Sequence, residues 1–179
     1  MTTRDDEIRI KIEGFDPKVH DRKDFRSGVD QIDNFLRLNA KKQQLAGMAR
    51  VWVAVEPGSS RIIGYYALNA TALDANDLPE ALKKKAPRHG TVPGAMLSML
   101  GVDVAYQSLG IGRVLMADVR RRVEQASAEI GVAVLILDVL DDGDEASIEK
   151  RRRFYLDRGF QALPSHALRM FRVINRPRS

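Results

Sequence analysis

The stretch VDVAYQSLGIGRVLM (residues 102–116) decides how this sequence folds. Two glycines, Gly110 and Gly112, stand between an apolar run, AMLSMLGVDV (95–104), and a segment whose apolar residues recur at helical spacing (111–130). The first pattern is typical of a strand and the second of an amphipathic helix. Glycines at such a junction allow another chemical group to approach the backbone closely, and the identity of that group bears on the function.

The composition restricts the class of protein. With 179 residues, 44% of them hydrophobic, the chain is long enough for one core, and we predict a single domain over 1–179. Cysteine is absent, which excludes disulfides, thiolate metal sites and an acyl-cysteine intermediate. The sequence has no membrane-span or signal-peptide pattern, so we expect a cytoplasmic protein that does not bind membranes. The net charge of +5 weakly favours a polyanionic partner.

The rest of the chain alternates strands and helices. Ser27 and Asp30 make a helix-start signal, and Gly64 inside a strand pattern indicates a bulge or a close approach. The predicted strands are 51–56, 61–73, 95–104, 132–140 and two short runs, 160–163 and 167–174, and the predicted helices are 28–46, 80–85, 111–130 and one that ends at Gly159. This order predicts an α/β (α+β) fold with a mixed central sheet flanked by helices.

The glycine turn can bind an anion. At a strand-to-helix turn, backbone N–H groups converge on the helix N-terminus, where the helix dipole also favours negative charge. Gln107 and Arg113 flank the turn and can reach phosphate oxygens. Two other interpretations stay open on spacing alone: glycines that only permit a tight turn, and a dinucleotide fold, which would need a third glycine where this chain has Leu115.

Four stretches, in order along the chain, resemble one family. The pattern Gln107-x-x-Gly110-x-Gly112, preceded by MLGVDVAYQ (99–107), resembles the pyrophosphate motif of the GNAT superfamily of N-acetyltransferases. RIIGYYAL (61–68) looks like that family's hairpin strand, and RFYLDRGFQAL (153–163) looks like its second signature. The resemblance implies the GNAT fold, strands that splay at the acetyl-coenzyme A site, and acetyl-coenzyme A as the acetyl-donor substrate.

The resemblance also assigns the site residues. Tyr155 matches the family's tyrosine that gives a proton to the coenzyme A thiolate, and a phenol is protonated at neutral pH. The alternative for Tyr155 is a packing role with a structural hydrogen bond. Backbone groups would bind the pantetheine at Leu100, Gly101 and Val102, and the pyrophosphate would lie against Gln107, Ser108, Leu109, Gly110, Ile111, Gly112 and Arg113. Direct attack by an amine needs no acyl-enzyme, and the isolated histidines predict no metal site.

The N-terminal part resembles a narrower branch. DRKDFRSGVDQIDNFL (21–36) is similar to a phrase in the GNAT toxins of bacterial toxin–antitoxin systems. These toxins acetylate the α-amine of aminoacyl-tRNA and are neutralised by a small ribbon-helix-helix antitoxin, so the resemblance implies both partners; a homodimer is one possible assembly. Four basic clusters either contact tRNA phosphates or are solvated helix faces: Lys41 and Lys42, Lys83–Lys85 with Arg88, Arg120–Arg122, and Lys150–Arg153.

One segment departs from the toxin pattern. LDVLDDGDEASIEKRRRFY (137–155) is longer than the linker typical of that branch and begins with an acidic cluster, Asp141–Glu145. These carboxylates either cap a helix or recognise a cationic amine, which keeps a small-molecule amine or a protein as alternative acceptors. A degenerate scaffold that only binds a partner is a third class, against which the glycine turn and Tyr155 argue.

Overall fold

The computed structural model describes residues 8–174. Its strands are β1 (Lys11–Gly14), β2 (Arg50–Val55), β3 (Ile62–Asp74), β4 (Thr91–Val102), β5 (Val134–Asp138), β6 (Gln161–Leu163) and β7 (His166–Val173). Its α-helices are α1 (Asp30–Asn34), α2 (Ala40–Leu45), α3 (Glu80–Lys83), α4 (Ile111–Glu129) and α5 (Glu145–Leu156). A π-helical segment, Phe35–Asn39, joins α1 to α2, and short 3₁₀ turns occur at Ala75–Asp77 and Val104–Tyr106.

The seven strands form one mixed sheet in the order β1-β2-β3-β4-β5-β7-β6. β4 and β5 are parallel, whereas the pairs β1/β2, β2/β3, β5/β7 and β6/β7 are antiparallel. Such a parallel pair needs a crossover connection, which α4 supplies. The predicted mixed sheet with flanking helices is confirmed.

The described residues divide into two compact units. The first contains residues up to Leu68 together with Met99–Val119, and the second contains Asn69–Ser98 and the chain from Arg120 onward. Each unit has its own apolar cluster: the first includes Phe25, Leu36 and Tyr65, and the second Val134 and Phe171. The single domain over 1–179 stays a prediction, and residues 1–7 and 175–179 of it lie outside the described chain.

Of the predicted boundaries that differ from the structure, two have an identifiable physical reason. The helix predicted over 28–46 begins at Asp30 without a side-chain cap, because Ser27 bonds to Asp33 instead of serving as the N-cap. β4 starts at Thr91, whereas the predicted strand started at 95, after Pro93. Pro93 has no N–H to donate, but its carbonyl oxygen still accepts the Ala133 N–H at 2.9 Å.

Gly64 is both a bulge site and a site of close approach. Ala54 pairs with Gly64 but Val55 pairs with Ile62, so one residue of β3 is unpaired beside the glycine. A Cβ atom on Gly64 would lie 3.1 Å from Leu115 Cδ1 and 3.3 Å from the Gly101 carbonyl oxygen. The missing side chain therefore allows the first turns of α4 to pack against the strands. No helix within residues 8–174 has the length and apolar character needed to cross a membrane.

Candidate functional site

The glycine turn at the start of α4 presents backbone donors. The N–H groups of Arg113 and Val114 both bond to the Gly110 carbonyl oxygen, at 3.1 and 3.3 Å, so the helix begins there. By helix geometry the amides of Ile111 and Gly112 have no acceptor within the helix. Gly110 has a φ of 82° and no atom within 4 Å of where a Cβ would stand. The turn is thus open and free of side chains at the point where an anion would approach.

The exposed side chain of Gln107 ties this turn to two neighbouring segments. Its side-chain nitrogen donates to the Ser27 carbonyl oxygen at 2.8 Å and to the Val102 carbonyl oxygen at 2.9 Å. The amide therefore ties the turn to the N-terminal loop and to the end of β4. Its predicted phosphate contact stays a prediction. Arg113, the other flanking residue, is exposed on the first turn of α4.

A buried carboxylate that the sequence analysis did not single out holds the same loop. Asp103 is 2% exposed and accepts the N–H groups of Arg26 at 3.1 Å and Ala105 at 3.0 Å. The Val104 N–H donates to the Arg26 carbonyl oxygen at 2.7 Å, so the two segments are tied in both directions. An aspartate placed directly after an apolar strand is the signal that could have identified it.

The toxin-like N-terminal phrase is built around another buried carboxylate, Asp33. It accepts the Ser27 N–H at 2.7 Å and the Ser27 hydroxyl at 2.6 Å. One residue earlier, the Ile32 carbonyl oxygen accepts the Tyr65 hydroxyl at 2.6 Å. The serine and the aspartate of this phrase are thus joined to each other, and α1 is anchored to β3. The phrase and the glycine motif meet through Ser27.

The predicted pantetheine segment lies at the end of β4. The β4/β5 ladder ends at the pair Leu97 and Leu137, whereas β4 continues to Val102. Within this extension Gly101 is buried, and a Cβ there would stand only 2.5 Å from Ile32 Cγ2. Glycine is needed at this position because α1 packs directly onto the strand. Leu100 and Val102 on either side are half-buried, and the predicted role of this backbone stays a prediction.

Tyr155 lies in the last turn of α5, in the second unit. Its ring is half-buried and meets Phe154 and Phe160 edge-on, with centroid distances of 5.2 and 5.8 Å. Burial raises the pKa of Tyr155 to about 12, although the charges of Arg151 and Arg158 act in the opposite direction. The phenol is therefore protonated over the whole physiological range.

The acidic loop before α5 is internally bonded. Asp144 is the N-cap of α5 and accepts the Ser147 N–H at 3.1 Å. Asp142 accepts from the Arg151 guanidinium at 2.8 Å, which lowers the pKa of that carboxyl to about 2. Asp141 accepts the Gly143 N–H at 3.0 Å. These contacts match the helix-capping interpretation of the cluster, and they engage its three aspartates within the loop and helix.

The basic clusters differ in whether their side chains are exposed or held in ion pairs. Lys41, Lys42 and the run from Lys83 to Lys85 are exposed, as is Arg88. Arg151 is engaged by Asp142, and Arg153 forms an ion pair with Asp157 at 3.1 Å. Within residues 8–174, no three or more His, Asp or Glu side chains are grouped so that they could hold a metal ion.

Comparison with known proteins decides the family. A probable toxin TacT of Sinorhizobium fredii (strain NBRC 101917 / NGR234) is 42% identical over 168 residues, which cover 94% of this chain and 93% of TacT. The chain belongs to the GNAT toxins. A tRNA-acetylating toxin of Mycobacterium tuberculosis (strain ATCC 25618 / H37Rv) is 29% identical over 155 residues, 87% of either chain. No protein-family profile matches the sequence.

Solved toxins share the fold of this GNAT toxin. A tyrosine-to-phenylalanine mutant of KacT aligns with a TM-score of 0.83 and 27% identity, covering 92% of this chain and 95% of KacT. AtaT, solved in complex with acetyl-methionyl-tRNAfMet, aligns with a TM-score of 0.81 and 24% identity, covering 92% of this chain and 95% of AtaT. The predicted family and the predicted GNAT fold are both confirmed.

Proposed function

We propose that this GNAT toxin is an acetyl-coenzyme A-dependent N-acetyltransferase that transfers the acetyl group directly to the α-amine of aminoacyl-tRNA. The observation that carries the proposal is the open turn at Gly110, where the first amides of α4 lack intrahelical acceptors. The names of the relatives support the toxin activity and the acceptor, since one is a probable toxin and another a tRNA-acetylating toxin.

The pyrophosphate of acetyl-coenzyme A fits this turn in charge and in space. A helix N-terminus carries roughly half a positive charge, which favours a bound anion. α4 is long, from Ile111 to Glu129, and its exposed Arg113 adds a full positive charge beside the amides. Gln107 and Asp103 contribute indirectly, because they hold the turn in shape. No metal is invoked.

Tyr155 is proposed as the general acid. The neutral α-amine attacks the thioester carbonyl, the C–S bond breaks, and the phenol proton passes to the leaving thiolate to give the free thiol. The amine loses its extra proton to solvent, and the tyrosinate is then reprotonated from solvent. The high pKa of Tyr155 ensures that the proton is present before the reaction.

The acceptor proposal depends on exposed positive charge. Lys83, Lys84, Lys85 and Arg88 project from and beyond α3 without burial, as phosphate contacts require. A small cationic acceptor was suggested by the acidic cluster, but the carboxylates of Asp141, Asp142 and Asp144 already accept hydrogen bonds from α5 and from the loop. Charged tRNA is therefore preferred over a small amine.

The first experiment measures transfer of labelled acetyl from acetyl-coenzyme A to bulk charged tRNA, beside deacylated tRNA. We expect label on charged tRNA only, and Tyr155→Phe should lower kcat by about 100- to 10,000-fold, the usual contribution of a general acid. Tyr66→Phe is the matched control, because it removes a hydroxyl that bonds to Asp118 instead. Full activity in Tyr155→Phe would remove Tyr155 from the mechanism, and label on small amines alone would overturn the acceptor.

A second experiment measures acetyl-coenzyme A binding without turnover. Gly112→Glu adds a negative side chain in the first turn of α4 and should weaken binding strongly. Gly131→Glu makes the same change in an exposed loop, where a Cβ would meet only Pro93 Cγ at 3.9 Å, and should bind normally. Equal affinities in the two variants would contradict the pyrophosphate turn.

A third experiment tests the RNA contact. Transfer to charged tRNA should weaken as salt rises, and neutralising Lys83 to Lys85 should make the salt slope shallower.

We also propose that the toxin acts in the cytoplasm, where charged tRNA is found, and that a ribbon-helix-helix antitoxin neutralises it. Co-expression with a ribbon-helix-helix antitoxin should restore growth; failure to do so would count against that partner.

A further inference from the structure

Arg151 is less exposed than Arg153 on α5, and its guanidinium is bonded to the loop before the helix. Its guanidinium donates to the Leu140 carbonyl oxygen at 3.1 Å and to Asp142 at 2.8 Å. The side chain is 25% exposed, whereas that of Arg153, two residues later, is 73% exposed. Arg151 therefore bridges the loop after β5 to the helix and has a fixed position within the second unit.

Helix geometry places this charge near Tyr155. The two residues are four positions apart on α5, so their Cβ atoms lie about 5–6 Å apart on one face. Long helical side chains lean toward the N-terminus, which brings the tyrosine ring over the turn that carries Arg151. Phe154 and Phe160 meet the same ring edge-on and leave it few alternative orientations.

The chemistry of a buried general acid explains why such a charge is useful. When Tyr155 gives up its proton, its oxygen becomes negative in a half-buried, aromatic environment, which disfavours an ion. The charged groups that favour the ionised ring are Arg151 on α5 and Arg158 directly after it, with Arg151 the larger contributor. Arg158 has other contacts: its guanidinium stacks on Phe154 at 3.6 Å and donates to the Phe154 carbonyl oxygen.

We propose that Arg151, one helical turn before Tyr155 on α5, is a positioning residue for it. Held by the Leu140 carbonyl oxygen and Asp142, the guanidinium stabilises the negative charge that the phenol oxygen gains as its proton passes to the thiolate. The inference rests on the proposed role of Tyr155 as general acid. It also gives the long, acidic loop a purpose, because Asp142 and Leu140 are the groups that fix the guanidinium.

The first test needs no turnover. A fluorinated tyrosine, whose phenol ionises at lower pH than tyrosine, is incorporated at position 155, and its titration is followed by fluorine NMR. Arg151→Met should raise the phenol pKa, because it removes the larger of the two positive charges that favour the ionised ring. Arg151→Lys should raise it less, and Arg153→Met, which removes an exposed charge from the same helix, should leave it unchanged.

The second test measures catalysis by variants whose thermal unfolding confirms that they are folded. Arg151→Met should lower kcat by up to about tenfold for each unit by which the phenol pKa rises, with KM for acetyl-coenzyme A unaltered. Arg151→Lys, which keeps the charge, should recover most of the loss. A rise in KM for charged tRNA with unchanged kcat would instead assign Arg151 to RNA binding and overturn the proposal.

The two proposals fail separately. If Arg151→Met leaves the phenol titration unchanged while Tyr155→Phe is inactive, the role of Arg151 is refuted and that of Tyr155 stands. If Tyr155→Phe is fully active, the general-acid assignment is refuted, and the role of Arg151 in the reaction falls with it even if the titration shifts.

Discussion

Replacing Gly101 by alanine tests how tightly α1 packs on β4. The new Cβ would stand 2.5 Å from Ile32 Cγ2 and 3.5 Å from both Phe25 Cζ and Tyr65 Cε1. The first distance is about 1 Å too short for carbon atoms in contact. The obstructing methyl is attached directly to the Ile32 Cβ, so it cannot move aside without moving the helix backbone or changing χ1.

The expected cost follows from these contacts. Overpacking of this kind costs about 1–3 kcal/mol, and the reduced freedom of the unfolded chain returns about 0.4–1 kcal/mol. The net loss of about 1–2 kcal/mol corresponds to a fall in Tm of roughly 2–8 °C for a chain of 179 residues. α1 resists relaxation because Tyr65 donates to the Ile32 carbonyl oxygen and Ser27 donates to Asp33.

A double-mutant cycle with Ile32→Ala isolates the clash. In that background the methyl that blocks the new Cβ is gone, so Gly101→Ala should cost about 1–2 kcal/mol less than in the wild type. Urea unfolding of the four proteins gives the coupling free energy, with equal m-values as the control for unchanged compactness. Additive free energies, within about 0.5 kcal/mol, would refute the reasoning.

Three further sets of substitutions test polar contacts, two at the site and one between β5 and β7. Asp33→Ala should lower the free energy of unfolding by about 1–3 kcal/mol, because the Ser27 N–H and hydroxyl lose their acceptor. In urea titrations it should lower this free energy more than Ser27→Ala does. A smaller effect than that of Ser27→Ala would mean that water replaces the carboxylate. Gln107→Glu should destabilise more than Gln107→Ala, since the amide donates to two carbonyl oxygens that a carboxylate would repel; the reverse order in thermal melts would contradict that contact. Arg169 lowers the pKa of the Asp138 carboxyl, so the pair stabilises the fold above about pH 4 and loses this contribution as pH falls through the folded pKa. Both partners are 44% exposed, so Arg169→Gln should lower the free energy of unfolding by less than about 1 kcal/mol at neutral pH and by nothing at acid pH. A loss of stability that grows as the pH falls would contradict this prediction.

Periodicity predicted most of the fold. The apolar run 132–140 became β5, whose residues Val134 to Leu137 are all buried, and the helical spacing over 111–130 became α4. These elements are predictable because local pattern and tertiary burial agree. The start of β4 was missed because the effect of Pro93 depends on whether its missing N–H is needed, which only the pairing with neighbouring segments decides.

The site was predictable in its backbone but not in its side-chain contacts. The motif put the turn between a strand and a helix, and α4 does begin at Ile111, directly after Gly110. The Gln107 contact was not predictable, because its acceptor is the carbonyl oxygen of Ser27, 80 residues away in sequence. Asp33 and Asp103 likewise act through long-range or backbone partners that no local pattern specifies.

The π-helical segment between α1 and α2 accommodates one additional residue without turning the next helix. A π turn holds one residue more than an α turn, so Phe35–Asn39 turns the chain about as far as an α-helical segment one residue shorter would. α2 therefore keeps the orientation that buries Ala40 fully and lets Gln44 bond to the Phe15 carbonyl oxygen and the Val51 N–H. Deleting exposed Leu38 should convert the segment to a regular α turn and leave these contacts in place, whereas one more residue there would rotate α2 by about 100°.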